Sequence, residues 1–328
     1  MTIKDVAKTA GVSVATVSRV INGSDSVTEE TRKKIIDIIE KTGYRQNLLG
    51  RNLRCNKTNI ILVMLTTIVN SFCAKLVHSI ENEAKKYGYS IMICATNNDR
   101  ESEERYINFV RNKFVDGIII LNSTLTDKKM NELSSSFPVV QCSEYVDSKN
   151  TPYITIDNKK AAYDAVNYLV KLGRQKIVFI GVDNNIVSSK DRLEGYKQAL
   201  SDNGIAFDKS LVIYGNYGYR NAHELTYEYF KTHTDADGVF AISDKMAAGA
   251  ITSLRELGHK VPEDVAVIGF DNTDITYIYN PTISTVAQPH REMGKAAFDM
   301  LIKKINGEKC ENLVLPHELR LRNSTENI

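Results

Sequence analysis

The sequence predicts an α/β protein that combines a small helical N-terminal domain with a larger region containing two parallel sheets. Its 328 residues exceed the length of one small domain and suffice for two or three domains with buried cores. Helical spacing dominates residues 1–57, whereas apolar runs alternate with helical stretches from about residue 58 onward. Residues 1–57 also hold 11 Lys and Arg against 6 Asp and Glu, while the remainder holds 31 against 34. The N-terminal domain is therefore suited to an anionic partner.

The first predicted helix is short and amphipathic. Thr2 and Asp5 have the spacing of a capping box, in which each side chain bonds to the backbone N–H of the other residue. Apolar residues then recur at helical spacing, at Ile3, Val6, Ala7 and Ala10. Gly11 suits the left-handed position at a helix end, and Ser13 can cap a second helix that begins at residue 14. The two helices are therefore joined by a tight turn.

The second and third predicted helices complete one small core. In the second helix the inward stripe is Val17, Val20 and Ile21, and the opposite face carries Ala15, Ser18, Arg19 and Asn22. The third helix follows Thr28 and ends before Gly43. It turns three isoleucines toward the other two helices, namely Ile35, Ile38 and Ile39.

This arrangement predicts a helix-turn-helix motif. The outer face of the second helix is small, polar and cationic, so this helix can enter a DNA major groove about 12 Å wide. A helical hairpin that docks on another protein would show the same hydrophobic pattern and remains the alternative from patterning alone.

The larger region predicts two adjacent lobes. Nine apolar runs have the character of strands buried on both faces, which are NIILVML, YSIMICAT, VDGIIIL, PVVQCS, YITID, QKIVFIG, LVIYG, GVFAIS and DVAVIGF. Helices are predicted around Ala74–Tyr87, Glu103–Lys113, Ala161–Leu172, Leu193–Asn203, Ala247–Leu257 and Met293–Ile305. Nine strands exceed what one compact sheet usually needs, so a ligand cleft is expected between the strand C-termini of two lobes.

Catalytic, metal and membrane signatures are missing from the sequence. It contains no GxxxxGK, GxGxxG, GxSxG or HExxH motif, and the six histidines show no ligand-like spacing. The five cysteines are scattered without a CxxC pair, and no apolar run reaches the length of a membrane span. Asp157, Asp244 and Asp271 follow strands, where bonding to a ligand or a helix N-terminus suffices to explain them. We therefore expect no enzymatic activity, no metal and no cofactor. Because the N-terminus has no secretory signal, a cytoplasmic location is expected.

The N-terminal segments IKDVAKTAGVSVATVSRVING and VTEETRKKIIDIIEKTGYRQN closely resemble the DNA-binding headpiece of the lactose-repressor (LacI/GalR) family. The resemblance extends almost unbroken through residue 54. It implies base contacts from Val14, Ala15 and Arg19, with Arg19 suited to the acceptor pair of a guanine. It also implies phosphate or base contacts from Thr16, Ser18 and Asn22. Helix packing is the alternative role of Val14 and Ala15.

The same resemblance places a hinge helix at about residues 47–55. Family members fold this segment on operator DNA and insert a leucine into the minor groove, and Leu53 is the matching residue. Asn47 is the first residue of the segment and a further candidate DNA contact. A short helix containing Gly50 has little stability alone, so its folding can be coupled to DNA and to a partner subunit.

The larger region is similar to the periplasmic-sugar-binding-protein-like core of the same family. The segments that carry the similarity are VDGIII, DRLEGYKQAL, AISDKMAAGAI, VPEDVAVIGFDN and STVAQP. Arg192 and Asp271 lie where the family grips ligand hydroxyls, with one donor and one acceptor. Phe72 and Tyr217 lie where the family places rings against a sugar or base, with core packing as the alternative. Weaker candidates for the cleft are Thr66, Leu76 and His290.

The resemblance also implies domain boundaries. The headpiece and hinge occupy residues 1–57, and the core occupies residues 58–328. The N-lobe takes about residues 58–156 plus 286–313, and the C-lobe takes about 157–285 plus 314–328. The family often has aspartate after the strand PVVQC, where this chain has Ser143. A ligand different from the best-known sugars, or one bound through a bridging water, is therefore expected.

These features lead to one functional hypothesis and two alternatives. The hypothesis is a homodimeric transcriptional repressor that binds double-stranded operator DNA and responds to a sugar or nucleoside in the lobe cleft. One alternative is a regulator of the catabolite-control type, which responds to a phosphorylated carrier protein. The other is a soluble sugar-binding module without regulation.

Overall fold

A computed structural model describes residues 1–21, 23–44 and 57–326. The chain forms two compact units that divide between Thr58 and Asn59, one residue from the predicted division after residue 57. No helix in the described ranges is long and apolar enough to cross a membrane.

The first unit contains three helices around a small core. They are α1 (Ile3–Ala10), α2 (Val14–Ile21) and α3 (Glu29–Thr42). Thr2 and Asp5 form the predicted capping box, and Gly11 ends α1 with a φ of 69°. The Ser13 hydroxyl accepts the Thr16 N–H at 3.1 Å and so caps α2 as predicted. The fully or nearly fully buried side chains of this core are Val6, Ala7, Ala10, Val17, Val20 and Ile35.

The N-lobe of the second unit is a parallel six-stranded sheet in the order β11-β5-β4-β3-β1-β2. Its continuous first segment runs through β1 (Ile60–Leu65), α4 (Ser71–Lys86), β2 (Ser90–Ala95), α5 (Arg100–Arg111), β3 (Gly117–Ile120), α6 (Asp127–Ser136), β4 (Val139–Cys142) and β5 (Tyr153–Ile156). Strands β1, β3 and β4 are almost completely buried, which explains their unbroken apolar sequences.

The C-lobe is a second six-stranded sheet in the order β12-β10-β9-β8-β6-β7. Its first segment runs through α7 (Asn158–Lys171), β6 (Ile177–Gly181), α8 (Val187–Asp202), a 3-10 turn (Lys209–Leu211), β7 (Val212–Tyr214), α9 (Tyr219–Phe230), β8 (Gly238–Ala241), α10 (Asp244–Glu256), β9 (Ala266–Phe270), α11 (Ile275–Ile278) and β10 (Ser284–Ala287). The chain then returns to the N-lobe through α12 (His290–Ile305) and β11 (Leu313–Leu315). It ends in the C-lobe with β12 (Glu318–Arg320), which is antiparallel to β10.

The chain crosses between lobes a few residues later than the predicted boundaries at 285/286 and 313/314. Strand β10 pairs with β9 and β12 in the C-lobe sheet, so the first return follows residue 287. The whole of β11 pairs with β5 in the N-lobe sheet, so the second return follows residue 315. Strand pairing sets these crossings, because a strand stays with the sheet whose hydrogen bonds it completes.

Candidate functional site

The outer face of α2 presents two of the residues that the sequence assigned to DNA. Ala15 and Arg19 are exposed, whereas Val17 and Val20 are buried against the small core. The four positions therefore divide between opposite faces of the helix, as the i, i+4 spacing predicts. Arg19 is long and cationic and Ala15 is small, so this face of the helix is narrow enough for a DNA major groove.

The other candidates on α2 have additional structural roles. Val14 packs partly against the three-helix core, and Ser18 is also partly buried. The Thr16 hydroxyl lies 2.9 Å from the Ser13 hydroxyl at the helix N-terminus. Asn22, Asn47, Leu53 and the hinge helix at about 47–55 lie outside the described residues.

Arg192, the cationic side chain predicted to line the cleft, is held in three ways. It lies on α8 and is 6% exposed. Its Nε donates to Asn158 Oδ1 at 3.0 Å, and its Nη1 donates to the carbonyl of Ile242 at 2.7 Å. The guanidinium carbon lies 3.6 Å from the centroid of the Phe270 ring, which adds a cation–π contact. These contacts fix the planar group while leaving donor capacity for a ligand.

Asp271 directly follows β9 and provides an acceptor near this cation. Gln288 Nε2 donates to Asp271 Oδ1 at 2.7 Å, and the backbone of Asp271 has a φ of 105°. A non-glycine residue in this conformation is strained, and such strain concentrates at functional sites. Burial raises the pKa of Asp271, and the Arg192 charge partly offsets this effect. The structure therefore places Arg192 near enough to Asp271 for its charge to act on that carboxyl group.

Asp244 supports this arrangement from the start of α10. Its carboxylate accepts the Thr273 N–H at 2.6 Å, the Thr273 hydroxyl at 2.8 Å and the Thr285 hydroxyl at 2.6 Å. Asp244 is 1% exposed and ties α10 to β10 and to the loop after β9. Its role in this structure is to fix the loop that carries Asp271.

Desolvation and the nearby Asp271 raise the pKa of Asp244 from 3.8 to about 7. The folded protein thus holds this proton more tightly than the unfolded chain does. The stabilisation is complete below about pH 4 and is lost as pH rises through the folded pKa. We expect Asp244→Asn to remove this dependence, so the free energy of unfolding of wild type should fall relative to that of the variant between pH 5 and pH 8. Urea unfolding of both proteins at each pH measures the difference, and parallel pH curves would contradict the assignment.

The remaining cleft candidates differ in accessibility. Tyr217 is partly exposed, and its hydroxyl lies 2.8 Å from the Ser189 hydroxyl on α8. Thr66 accepts from Asn122 Nδ2 at 2.9 Å, and His290 is partly exposed at the start of α12. Phe72 is 5% exposed and Leu76 is completely buried, and both belong to the hydrophobic core. Leu76 therefore packs the lobe interior in this structure, because α4 turns it toward the sheet.

The sequence interpretation missed Glu144, which lies just after β4 and contacts the C-lobe. Its carboxylate accepts from the Ser188 hydroxyl at 2.5 Å and from the Ser188 N–H at 3.3 Å, at the start of α8. Ser143, where the family often has aspartate, has a φ of 78°. The acidic side chain of this chain is Glu144, one position after the family's aspartate. The position of Glu144 just after a buried strand could have identified it from the sequence.

Two family models match this chain. The model described as "Bacterial regulatory proteins, lacI family" matches residues 2–47. The model described as "Periplasmic binding proteins and sugar binding domain of LacI family" matches residues 58–323. The two matches correspond to the three-helix unit and to the two-lobed unit.

Full-length relatives and solved structures agree with these matches. The chain is 38% identical to the HTH-type transcriptional regulator RegA of Clostridium saccharobutylicum, over 98% of both chains. It is 35% identical to Catabolite control protein A of Priestia megaterium, over 99% of both. The transcriptional regulator CelR in complex with cellobiose has a TM-score of 0.74 and 30% identity, with 99% of both chains covered. The Lac repressor dimer bound to operator and the anti-inducer ONPF has a TM-score of 0.88 and 25% identity at the same coverage. With its helix-turn-helix headpiece and two-lobed α/β core, this chain belongs to the LacI family of bacterial transcriptional regulators.

Proposed function

We propose that this regulator is a cytoplasmic repressor that binds a near-palindromic operator as a homodimer and responds to a small polyhydroxylated effector between its lobes. The observation that carries the proposal is the presence, in one chain, of an exposed cationic face on α2 and a buried donor–acceptor pair in the cleft. In this proposal the α2 face binds DNA and the donor–acceptor pair binds the effector, and neither takes part in catalysis.

The headpiece would supply sequence preference through α2. Arg19 is long and exposed and can donate two hydrogen bonds to the O6 and N7 acceptors of a guanine. Ala15, one turn earlier, can contact a thymine methyl group because it leaves space beside the base edge. Asn22, Asn47 and Leu53 would add contacts outside the described residues, with Leu53 inserted into the minor groove.

The cleft would bind an effector through Arg192 and Asp271. Arg192 donates hydrogen bonds and Asp271 accepts them, and this combination suits vicinal hydroxyl groups of a sugar or of the ribose of a nucleoside. Tyr217, Phe72, Thr66 and His290 are the further residues we assign to this cleft. The CelR structure, which contains cellobiose, supports the sugar class. The effector can alter operator affinity only through its different affinities for the two lobe arrangements.

A thermal-shift series with sugars and nucleosides tests the effector arm. We expect one compound to raise the melting temperature, because a ligand at about 100 times its Kd adds about 2.7 kcal/mol of stability. The relationship to Catabolite control protein A supports a second candidate, in which a phosphorylated carrier protein is the signal. In that case the cleft ignores the compounds and the carrier protein strengthens operator binding. A sugar-binding module without regulation would bind a compound and show no operator preference.

Dimerisation has a candidate surface on both lobes. Ile68 and Val69 in the loop after β1 are 65% and 72% exposed, and Tyr277 and Ile278 on α11 are 58% and 82% exposed. Such apolar exposure is typical of an interaction surface. The Lac repressor structure, described as a dimer, supports a second copy as the partner.

We expect Ile278→Asp to shift the protein toward monomer, because a charge would be buried in the dimer without a counterion. Light scattering coupled to gel filtration measures the mass. Phe114→Asp, at a residue 52% exposed after α5, is the matched control and should leave the mass unchanged. Equal masses for wild type and Ile278→Asp at low micromolar concentration would remove this surface from the interface.

A further inference from the structure

The two lobes are joined across the cleft by a contact between Glu144 and Ser188. Glu144 follows β4 in the N-lobe, and its N–H donates to the carbonyl of Leu121, the residue after β3. Both carboxylate oxygens point to the C-lobe, where Oε1 accepts the Ser188 hydroxyl and Oε2 accepts the Ser188 N–H. Hydrogen bonds to a carboxylate are about twice as strong as bonds between neutral groups.

This contact replaces the missing cap of α8. The first N–H groups of any helix lack partners inside the helix, and a polar N-cap side chain usually accepts one of them. The N-cap of α8 is Ile186, which has no polar side chain. The carboxylate of Glu144 therefore caps α8 from the other lobe, and its negative charge also lies near the positive end of the helix dipole.

The capped turn and Arg192 share one face of α8. Ser188 and Arg192 are four residues apart, so their side chains lie one above the other on the helix. Desolvation has the largest effect on Glu144 and raises the pKa of its carboxyl group. The positive charge of Arg192 attracts the carboxylate and acts in the opposite direction. Movement of the first turn of α8 relative to β4 would therefore move Arg192 relative to the N-lobe.

Two other contacts across the cleft are more exposed to solvent. Lys75 on α4 pairs with Asp274 at 2.7 Å, but the Asp274 side chain is 84% exposed. Lys245 donates to the carbonyl of Val69 at 2.9 Å, also in an exposed setting. Water and salt screen such contacts, so each contributes little. Ser188, by contrast, is 3% exposed.

We propose that Glu144 is an inter-lobe latch: by capping α8 across the cleft, it favours the closed lobes and positions Arg192 for the effector. The link to the effector rests on the proposed function, whereas the latch itself is a property of the two lobes. Glu144 is thus a positioning residue whose loss opens the cleft locally without unfolding either sheet.

Hydrogen exchange of the full chain, without DNA or any added compound, tests the latch. We expect Glu144→Ala to raise exchange in residues 187–189 and 143–146 by about tenfold or more, because the charged hydrogen bonds are lost. Exchange in the central strand β6 should be unchanged. Glu144→Gln, which keeps the shape and one acceptor oxygen, should give a smaller rise at the same segments. Glu194→Gln on the same helix, which removes only a surface pair with Lys197, is the matched control.

Ser188→Ala provides a second route that leaves Glu144 in place. It removes the hydroxyl donor, so we expect a smaller rise at residues 143–146. The double variant with Glu144→Ala should exchange no faster than Glu144→Ala alone.

The latch would be overturned if residues 187–189 and 143–146 of Glu144→Ala exchange at the same rate as in wild type. A uniform rise that includes β6 would also overturn it, because that pattern is global destabilisation. If Glu144→Ala does not fold, Glu144→Gln and Ser188→Ala decide by the same criteria. Since no effector is used, failure of the latch is distinguishable from failure of the proposed function.

Discussion

Arg19→Ala is expected to weaken operator binding by about 1–3 kcal/mol and to relax base preference at one position in each half-site. Arg19 is exposed on α2, so its removal should leave the fold of the headpiece unchanged. The loss would arise because the guanine acceptors would no longer be paired in the complex. Fluorescence anisotropy with the operator and with single-base variants at that position measures both effects.

The control for Arg19 is Lys41→Ala, which removes an exposed positive charge from the end of α3. It should weaken operator and unrelated DNA about equally, because a loss of overall charge acts on the phosphates without regard to sequence. Equal discrimination among single-base variants by wild type and Arg19→Ala would show that Arg19 does not read a base.

Arg192→Ala is expected to destabilise the core by about 3–5 kcal/mol and to abolish the response to effector. The substitution removes the donors to Asn158 and Ile242 and the contact with Phe270, and it leaves the buried Asp271 without its nearby cation. Urea unfolding gives the stability change, and operator titrations with and without effector give the response. Operator affinity without effector should be retained at temperatures where the variant is folded.

Two further variants separate charge from general damage at this position. Arg192→Lys keeps the charge but lacks the planar fork, so it should recover part of the stability and little of the effector response. Arg220→Ala, at an exposed position on α9, should change stability by no more than about 0.5 kcal/mol. A folded Arg192→Ala protein that has lost operator binding would contradict the assignment of signal and DNA contact to different parts of the chain.

The headpiece was predictable because its determinants are local. The capping box at Thr2, the left-handed Gly11 and the Ser13 cap are all confirmed, and each depends on residues within one turn. In the core, the observed helices begin three to six residues before the predicted ones. Several start at a polar cap, such as Asn70 or Asp99, whereas the hydrophobic pattern begins only later.

Other elements depended on distant parts of the chain and were missed. Helices α6 and α9 each bury only three residues, one of them polar, so neither has an extended apolar pattern. Strands β10, β11 and β12 have three or four residues each and are defined by pairing with strands remote in sequence. Short segments of this kind have no periodicity long enough to be recognised.

In the candidate cleft, too, some residues could be predicted from the sequence and others only from the structure. Arg192 and Asp271 could be named in advance only through the family resemblance, since a lone arginine and a lone aspartate are unremarkable in sequence. Their partners Asn158 and Gln288, and the latch residue Glu144, become visible only when the two sheets place them together. Tertiary contacts between distant residues are not encoded in any local pattern.

The most direct measurement is selection from a pool of randomised DNA duplexes by the full-length protein at moderate salt, followed by affinity measurements on the enriched sequences. This account predicts enrichment of a near-palindromic sequence that binds at least about 10³ times more tightly than unrelated DNA. It also predicts that Arg19→Ala relaxes selection at one position of each half-site. A pool that emerges without sequence preference, both with and without candidate sugars and nucleosides, would contradict it.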